Sequence, residues 1–242
     1  MLDLSSYELQ PKCFVALDSI IFGFDGDGLK VLLVKRGPDP NIDTWSLMGG
    51  WLNPTENLEQ AAERILFELT GLNSVYLEQL YTFGNTNRDP IARTVSVGYF
   101  ALINIEDYDY KISHTYHACW FPVDKLPEQL LFDHREMLEL AIQKLRYKAA
   151  LHPIGFELLP EKFTIPHLQK LYEAIFQATF DKRNFSRKIL STHLLVKLKE
   201  KQKSSKKGAY LYEVDKQKYG TYINSFLNFV PNLDIGNTGN NT

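Results

Sequence analysis

The 242-residue chain has only two cysteines, Cys13 and Cys119, and neither stands in a CxxC or a Cys/His cluster. A disulfide framework and a clustered zinc site are both excluded by that scarcity. Long hydrophobic runs are missing too. No apolar stretch is long enough to span a bilayer, and no basic start leads into an apolar segment. The expectation is a cytoplasmic protein with no membrane contact. Internal repeats are also absent, so a solenoid or propeller is ruled out. Net charge is small, −2, but unevenly spread. Residues 1–150 carry 13 Lys and Arg against 21 Asp and Glu, a net −8; residues 151–242 carry 14 against 8, a net +6. A basic module joined to an acidic one suits phosphate-backbone binding, though a solvated lysine-rich surface gives the same count, so the arrangement of the charges decides.

What is present is a 44% apolar composition, enough for two cores. Phe14–Phe22 and Leu29–Val34 read as strands joined by the turn FDGDG, a β-hairpin. A Gly/Pro/Asp-rich loop follows, running into a short segment at Trp45–Met48. Asn57, with Gln60 three residues on, caps a helix over Leu58–Thr70 that Gly71 stops. Strands at Val75–Phe83, Thr94–Ile103 and Ala118–Phe121, and a helix over His134–Ala149, complete a mixed domain. Pro153, Gly155 and Pro160 mark a boundary. Beyond it Thr164 caps a helix through about Phe180, with Leu168, Leu171, Ile175 and Phe176 as its apolar stripe. Asp181 caps a second helix, and strand-like runs at His193–Lys199 and Ala209–Val214 flank the lysine-rich connector KEKQKSSKKG. The division is therefore 1–150, 151–230 and a disordered tail, 231–242.

The segment Gly50–Leu72, GWLNPTENLEQAAERILFELTGL, resembles the Nudix box: Gly50, Glu56, Arg64, Leu66, Glu68, Gly71 and Leu72 match in register. The resemblance implies a Nudix-like α/β/α sandwich over roughly residues 10–150. It also implies a glutamate cluster that binds magnesium, and there the chain departs. Two of those positions hold Ile65 and Leu69, four residues apart on one helix face. Hard Mg²⁺ requires oxygen donors, so no enzyme activity, metal or cofactor is expected. Glu68 is left to pair with Arg64 at i and i+4. A pocket without its metal still recognises a small molecule. Its candidate contacts are Arg36, Trp45, Trp51, Glu56, Asn85, Arg88, Asp89, Asp133 and His134. His114 and His117 lack a carboxylate partner and are read as structural.

The segments YLEQLYTFGNTNRDPIARTVSVGYFALI, LFDHREMLELAIQKLRYKA, LLPEKFTIPHLQKLYEAIF and DKRNFSRKIL are similar, in order, to those of the Nudix-related transcriptional regulators. That resemblance implies an α+β fold: a Nudix-like domain followed by a winged helix-turn-helix. The residues agree. Phe185 and Ile189 turn inward on the second helix and leave Asn184, Arg187, Lys188 and Ser191 exposed. Arg183, Asn184 and Arg187 are suited to base edges and Lys182 and Lys188 to phosphates. Lys199, Lys201, Lys203, Lys206 and Lys207 would form a wing along the backbone. The expected partners are operator duplex DNA, a second copy of the chain and a small-molecule effector. Within the family the chain looks more like the arabinose-utilisation regulators, which points to L-arabinose; ADP-ribose is the alternative. A working Nudix hydrolase is the competing enzyme class. An RNA binder is disfavoured because the basic helix lacks an aromatic stacking platform.

Overall fold

Eight consecutive buried residues make β1 (Phe14–Phe24) the central strand of the first part of the chain. One edge of β1 runs parallel to β6 (Thr94–Asn104), from Phe14 opposite Thr94 to Phe24 opposite Asn104. Its other edge is shared. The end nearest the turn pairs with β2 (Leu29–Lys35), and residues Ala16–Ser19 pair with β4 (Met48–Trp51). β3 (Trp45–Ser46) and β7 (Ala118–Pro122) flank β2, and β5 (Tyr76–Phe83) closes the far side against β6, giving seven strands. Because parallel neighbours cannot be joined by a tight turn, the chain between β1 and β6 carries the helix α1 (Leu58–Thr70). The computed structural model describes residues 9–35, 44–73, 75–108, 118–202 and 208–219. Arg36, His114, His117, Lys203, Lys206, Lys207 and the tail lie outside them.

Side chains alternate between the two faces of a sheet, and here each face acquires its own helix. Leu17, Val97 and Tyr99 turn toward α1 and pack on Ala61, Ala62 and Ile65. Asp18 and Gly98 turn the other way, toward α3 (His134–Leu151): Met137 lies beside Gly98 and His134 beside Asp18. A short helix, α2 (Ile105–Tyr108), follows β6. The result is the α/β/α sandwich anticipated from sequence. Asn57 accepts from the Gln60 amide while Gln60 reaches back to the Asn57 amide, and Gly71 ends α1 in the left-handed conformation, φ 69°. Among the described residues no helix is long and apolar enough to cross a membrane.

The chain divides into two compact units, one of residues 1–160 with 170–179 and one of residues 161–169 with 180–242. The second unit holds the start of α4 (Ile165–Phe176), then α5 (Lys182–Leu190) and the hairpin β8 (Leu195–Lys201) and β9 (Tyr210–Val214). Phe163 forms an isolated antiparallel bridge with Tyr212, each amide donating to the other's carbonyl. Two boundaries differ from the sequence reading. α4 stops at Phe176 rather than near Phe180 because Gln177 takes φ 51°. β8 begins at Leu195 rather than His193 because His193, at φ 56°, still belongs to the turn after α5.

All three tryptophans, Trp45, Trp51 and Trp120, lie in the first unit, so their fluorescence reports its unfolding alone. Asn57→Ala removes the side-chain acceptor of the Gln60 amide and leaves only the backbone half of the capping box. It should lower that unit's stability by about 1 kcal/mol, read as a shift in the urea midpoint; an unchanged midpoint would contradict the role given to the cap.

Candidate functional site

Two groups of polar side chains form where β1, β4 and the helices converge. The first surrounds the Nudix-like box. Arg64 donates from Nε to Glu56 Oε2 at 2.8 Å and from Nη2 to Glu56 Oε1 at 2.6 Å, a bidentate pair. It also donates to the Trp51 carbonyl at 2.9 Å and to Glu68 Oε2 at 3.1 Å. Glu56 Oε1 further accepts the Asn53 amide. One guanidinium thus fastens the loop 51–56 to α1. The Arg64 hydrogen bonds and the Asn53 amide hold the Glu56 carboxyl down at about pKa 2.

Ile65, 1% exposed, sits under Gly50, where an added Cβ would lie 2.9 Å from its Cγ1. Leu69 packs, partly buried, on the same core. The remaining carboxylates, Glu56 and Glu68, are both engaged by Arg64. Two apolar side chains and two carboxylates already shared with one arginine do not make an octahedral oxygen site. The donor set therefore does not fit the divalent cation that the box implies.

The second group is buried. Asp18 stands in β1 opposite Gly49 of β4, where an added Cβ would collide with its Oδ1. Asp18 Oδ2 accepts Ser96 Oγ at 2.5 Å and lies 3.5 Å from Arg88 Nη2. Arg88, its side chain 3% exposed, makes a bidentate pair with Asp133 at 2.9 and 2.8 Å. His134 begins α3; its Nε2 is 3.6 Å from Asp18 Oδ1, and its Nδ1 accepts the Leu47 amide at 3.1 Å. The acceptor role at Nδ1 places the neutral-ring proton on Nε2, facing Asp18.

Of the ligand contacts expected from sequence, the fold brings Arg88, Asp133 and His134 together around Asp18: Arg88 pairs with Asp133, and His134 faces Asp18 and the Leu47 amide. Asn85 and Asp89 lie in the same turn, where Asn85 Oδ1 caps the Asn87 amide and Asp89 accepts from the Ile91 amide and Thr94 Oγ1. Trp51 and Glu56 join the Arg64 group instead. Trp51 is half exposed against Phe14, and Trp45 packs edge-on to Phe121 with Lys35 over its ring. Asp18, Ser96 and the clamp role of Arg64 were missed. The signal for Asp18 was present: a lone carboxylate inside the apolar run FVALDSIIFGF demands a buried partner.

In the second unit Asp181 caps α5 by accepting the Asn184 amide at 2.8 Å. Lys182, Arg183, Asn184, Arg187 and Lys188 are exposed, while Ile189 is buried and Phe185 stacks on Phe180. Arg187 Nη2 donates to Asn184 Oδ1 at 3.0 Å, so two side chains suited to base edges hold each other in place. No aspartate or glutamate interrupts α5 itself.

Two outcomes follow from the first unit. Arg88→Met would strand Asp18 and Asp133 in the interior; a loss of about 3–5 kcal/mol is expected, measured by urea unfolding at neutral pH, and a loss under about 1 kcal/mol would refute the node. Glu56 has a lowered folded-state pKa, so its contribution is present above its ordinary 4.5 and disappears as pH falls through about 2. The urea midpoints of wild type and Glu56→Gln should thus converge as pH is lowered from 4.5, whereas a constant gap would show that the ionised clamp is not the cause.

The NUDIX domain family matches residues 15–141, and the NrtR DNA-binding winged helix domain matches residues 155–214. The chain is 34% identical over 212 residues to the ADPR responsive transcriptional repressor NtrR of Acinetobacter baylyi, spanning 86% of this chain and 85% of that protein. NrtR of Shewanella oneidensis, solved in complex with a 27mer DNA, is 31% identical and matches with a TM-score of 0.74 over 85% of this chain and 95% of its own. The ADP-ribose pyrophosphatase of Methanocaldococcus jannaschii is 30% identical over 138 residues, 57% of this chain and 78% of the enzyme. The chain belongs to the Nudix family, in the NrtR group that joins a Nudix domain to a DNA-binding winged helix.

Proposed function

We propose that the protein is a ligand-responsive transcriptional repressor that binds operator DNA through α5 and the β8–β9 wing and senses ADP-ribose, or a close nucleotide relative, in its Nudix domain. The observation that carries this reading is the 34% identity to an ADPR responsive repressor, extending through both domains. The exposed basic face of α5 supports the DNA-binding part. Relatives that respond to or act on ADP-ribose favour the nucleotide over L-arabinose. The pentose reading took the loss of metal ligands as the loss of a pyrophosphate partner. Binding and hydrolysis are separable, however: a pocket can hold base, ribose and phosphate through its own polar groups while lacking the metal that activates water.

With Ile65 buried and Leu69 apolar, the proposed repressor binds its nucleotide without cleaving it. The candidate contacts that remain open to a ligand are Trp51, Asn85 and Asp89; Arg88, Asp133 and His134 would act by holding the turn that carries the last two. A homodimer fits two-fold operators, with the winged helices one helical turn apart.

An operator selected from a random duplex pool supplies the test, titrated at fixed salt because salt alone alters affinity steeply. ADP-ribose should change operator affinity by about 5–150-fold, and operator should change ADP-ribose affinity by the same factor. L-Arabinose should leave both untouched, and ADP-ribose should remain intact after incubation with Mg²⁺. Failure to select any duplex would overturn the repressor reading; a response to arabinose alone, or rapid hydrolysis, would overturn the effector assignment.

A further inference from the structure

The wing hairpin is irregular, and the irregularity sorts its charges. Lys197 pairs with Tyr212 and Lys201 with Tyr210, so three residues of β8 stand against one of β9 between these pairs, a bulge. Tyr210 and Tyr212 are two apart and share a face. On that face the ammonium groups of Lys197 and Lys201 lie 3.7 and 4.7 Å from the centroid of a single ring, that of Tyr210. Tyr210 is 40% exposed. Glu200, within the bulge, is held by Lys162 at 3.0 Å, so its charge is already matched. Among the described residues no carboxylate pairs with Lys197 or Lys201, and their contacts are with the ring.

Two unpaired ammonium groups gathered on one aromatic ring repel each other. The ring's attraction fixes their rotamers without neutralising them. Such an arrangement is complementary to an anion lying across both, and lysines already ordered lose less freedom when one binds. We propose that Lys197, Tyr210 and Lys201 form a preorganised clamp for the phosphate backbone of duplex DNA, with the tyrosine as the platform that spaces the two cations. This rests on the DNA-binding reading above. It assigns to the wing a tyrosine and a lysine, Lys197, that charge patterning alone did not single out.

The test is the salt dependence of binding to a mixed-sequence duplex, between about 50 and 200 mM. Replacing both lysines, Lys197→Gln with Lys201→Gln, should flatten the slope of log affinity against log salt by about 1.8, roughly 0.9 for each phosphate that the variant no longer neutralises. Tyr210→Leu keeps both charges but loses the platform; it should weaken binding by about 3–10-fold with the slope nearly retained, since only preorganisation is removed. Tyr210→Phe, which keeps a ring face, should bind as wild type. A wild-type protein that binds no duplex would overturn the DNA-binding reading and the clamp with it. Wild-type binding with an undiminished slope in the double variant would overturn the clamp alone. Tyr210→Leu binding as tightly as wild type would remove the platform.

Discussion

Arg88 is a cation with almost no access to water, bracketed by Asp133 in a bidentate pair and by Asp18 at longer range. A buried charge left unpaired would be strongly destabilising, so the guanidinium constrains everything that supplies its partners. Asp18 must face away from α1, which fixes the side of β1 on which Leu17 and Ile21 enter the core. Gly49 must lack a side chain, because the Asp18 carboxylate occupies that space. Asp133 and His134 must begin α3 at this level of the sheet, and the turn carrying Asn85 and Asp89 is held through Arg88 itself. Strand register, helix placement and loop position are thus tied to one polar node.

The neighbouring group around Arg64 works differently. Its guanidinium is partly exposed and binds two carboxylates and a backbone carbonyl. In the pattern of the box these glutamates belong to a metal site; here they are cross-links that brace a loop on α1. Ile65 completes the change by filling space beneath Gly50 with hydrocarbon. On this helix the residues at the box positions serve packing and cross-linking.

The two units divide the work by charge. Residues 1–150 are net acidic, with Arg64 and Arg88 paired to carboxylates, whereas the second unit exposes the lysines and arginines of α5, a helix free of aspartate and glutamate.

Local rules determined much of this protein by themselves. Asn57 with Gln60, Gly71 and Asp181 mark helix ends because caps satisfy backbone groups within three or four residues. Apolar alternation located the strands, and the inward pair Phe185 and Ile189 oriented α5, since both are matters of short-range periodicity. The ion pair of Arg64 with Glu68 was equally legible as an i, i+4 neighbour. What sequence could not decide were the partners brought together from far along the chain. Asp18 meets Ser96 across 78 residues because β1 and β6 lie parallel and in register, and Arg88 meets Asp133 across 45 because the turn before β6 lies beside the start of α3. Candidate pocket residues therefore emerged as members of a buried network, and Lys197 and Lys201 found a common ring only through the bulge of the wing. Those placements follow from strand pairing and desolvation, which act between segments that no local pattern connects.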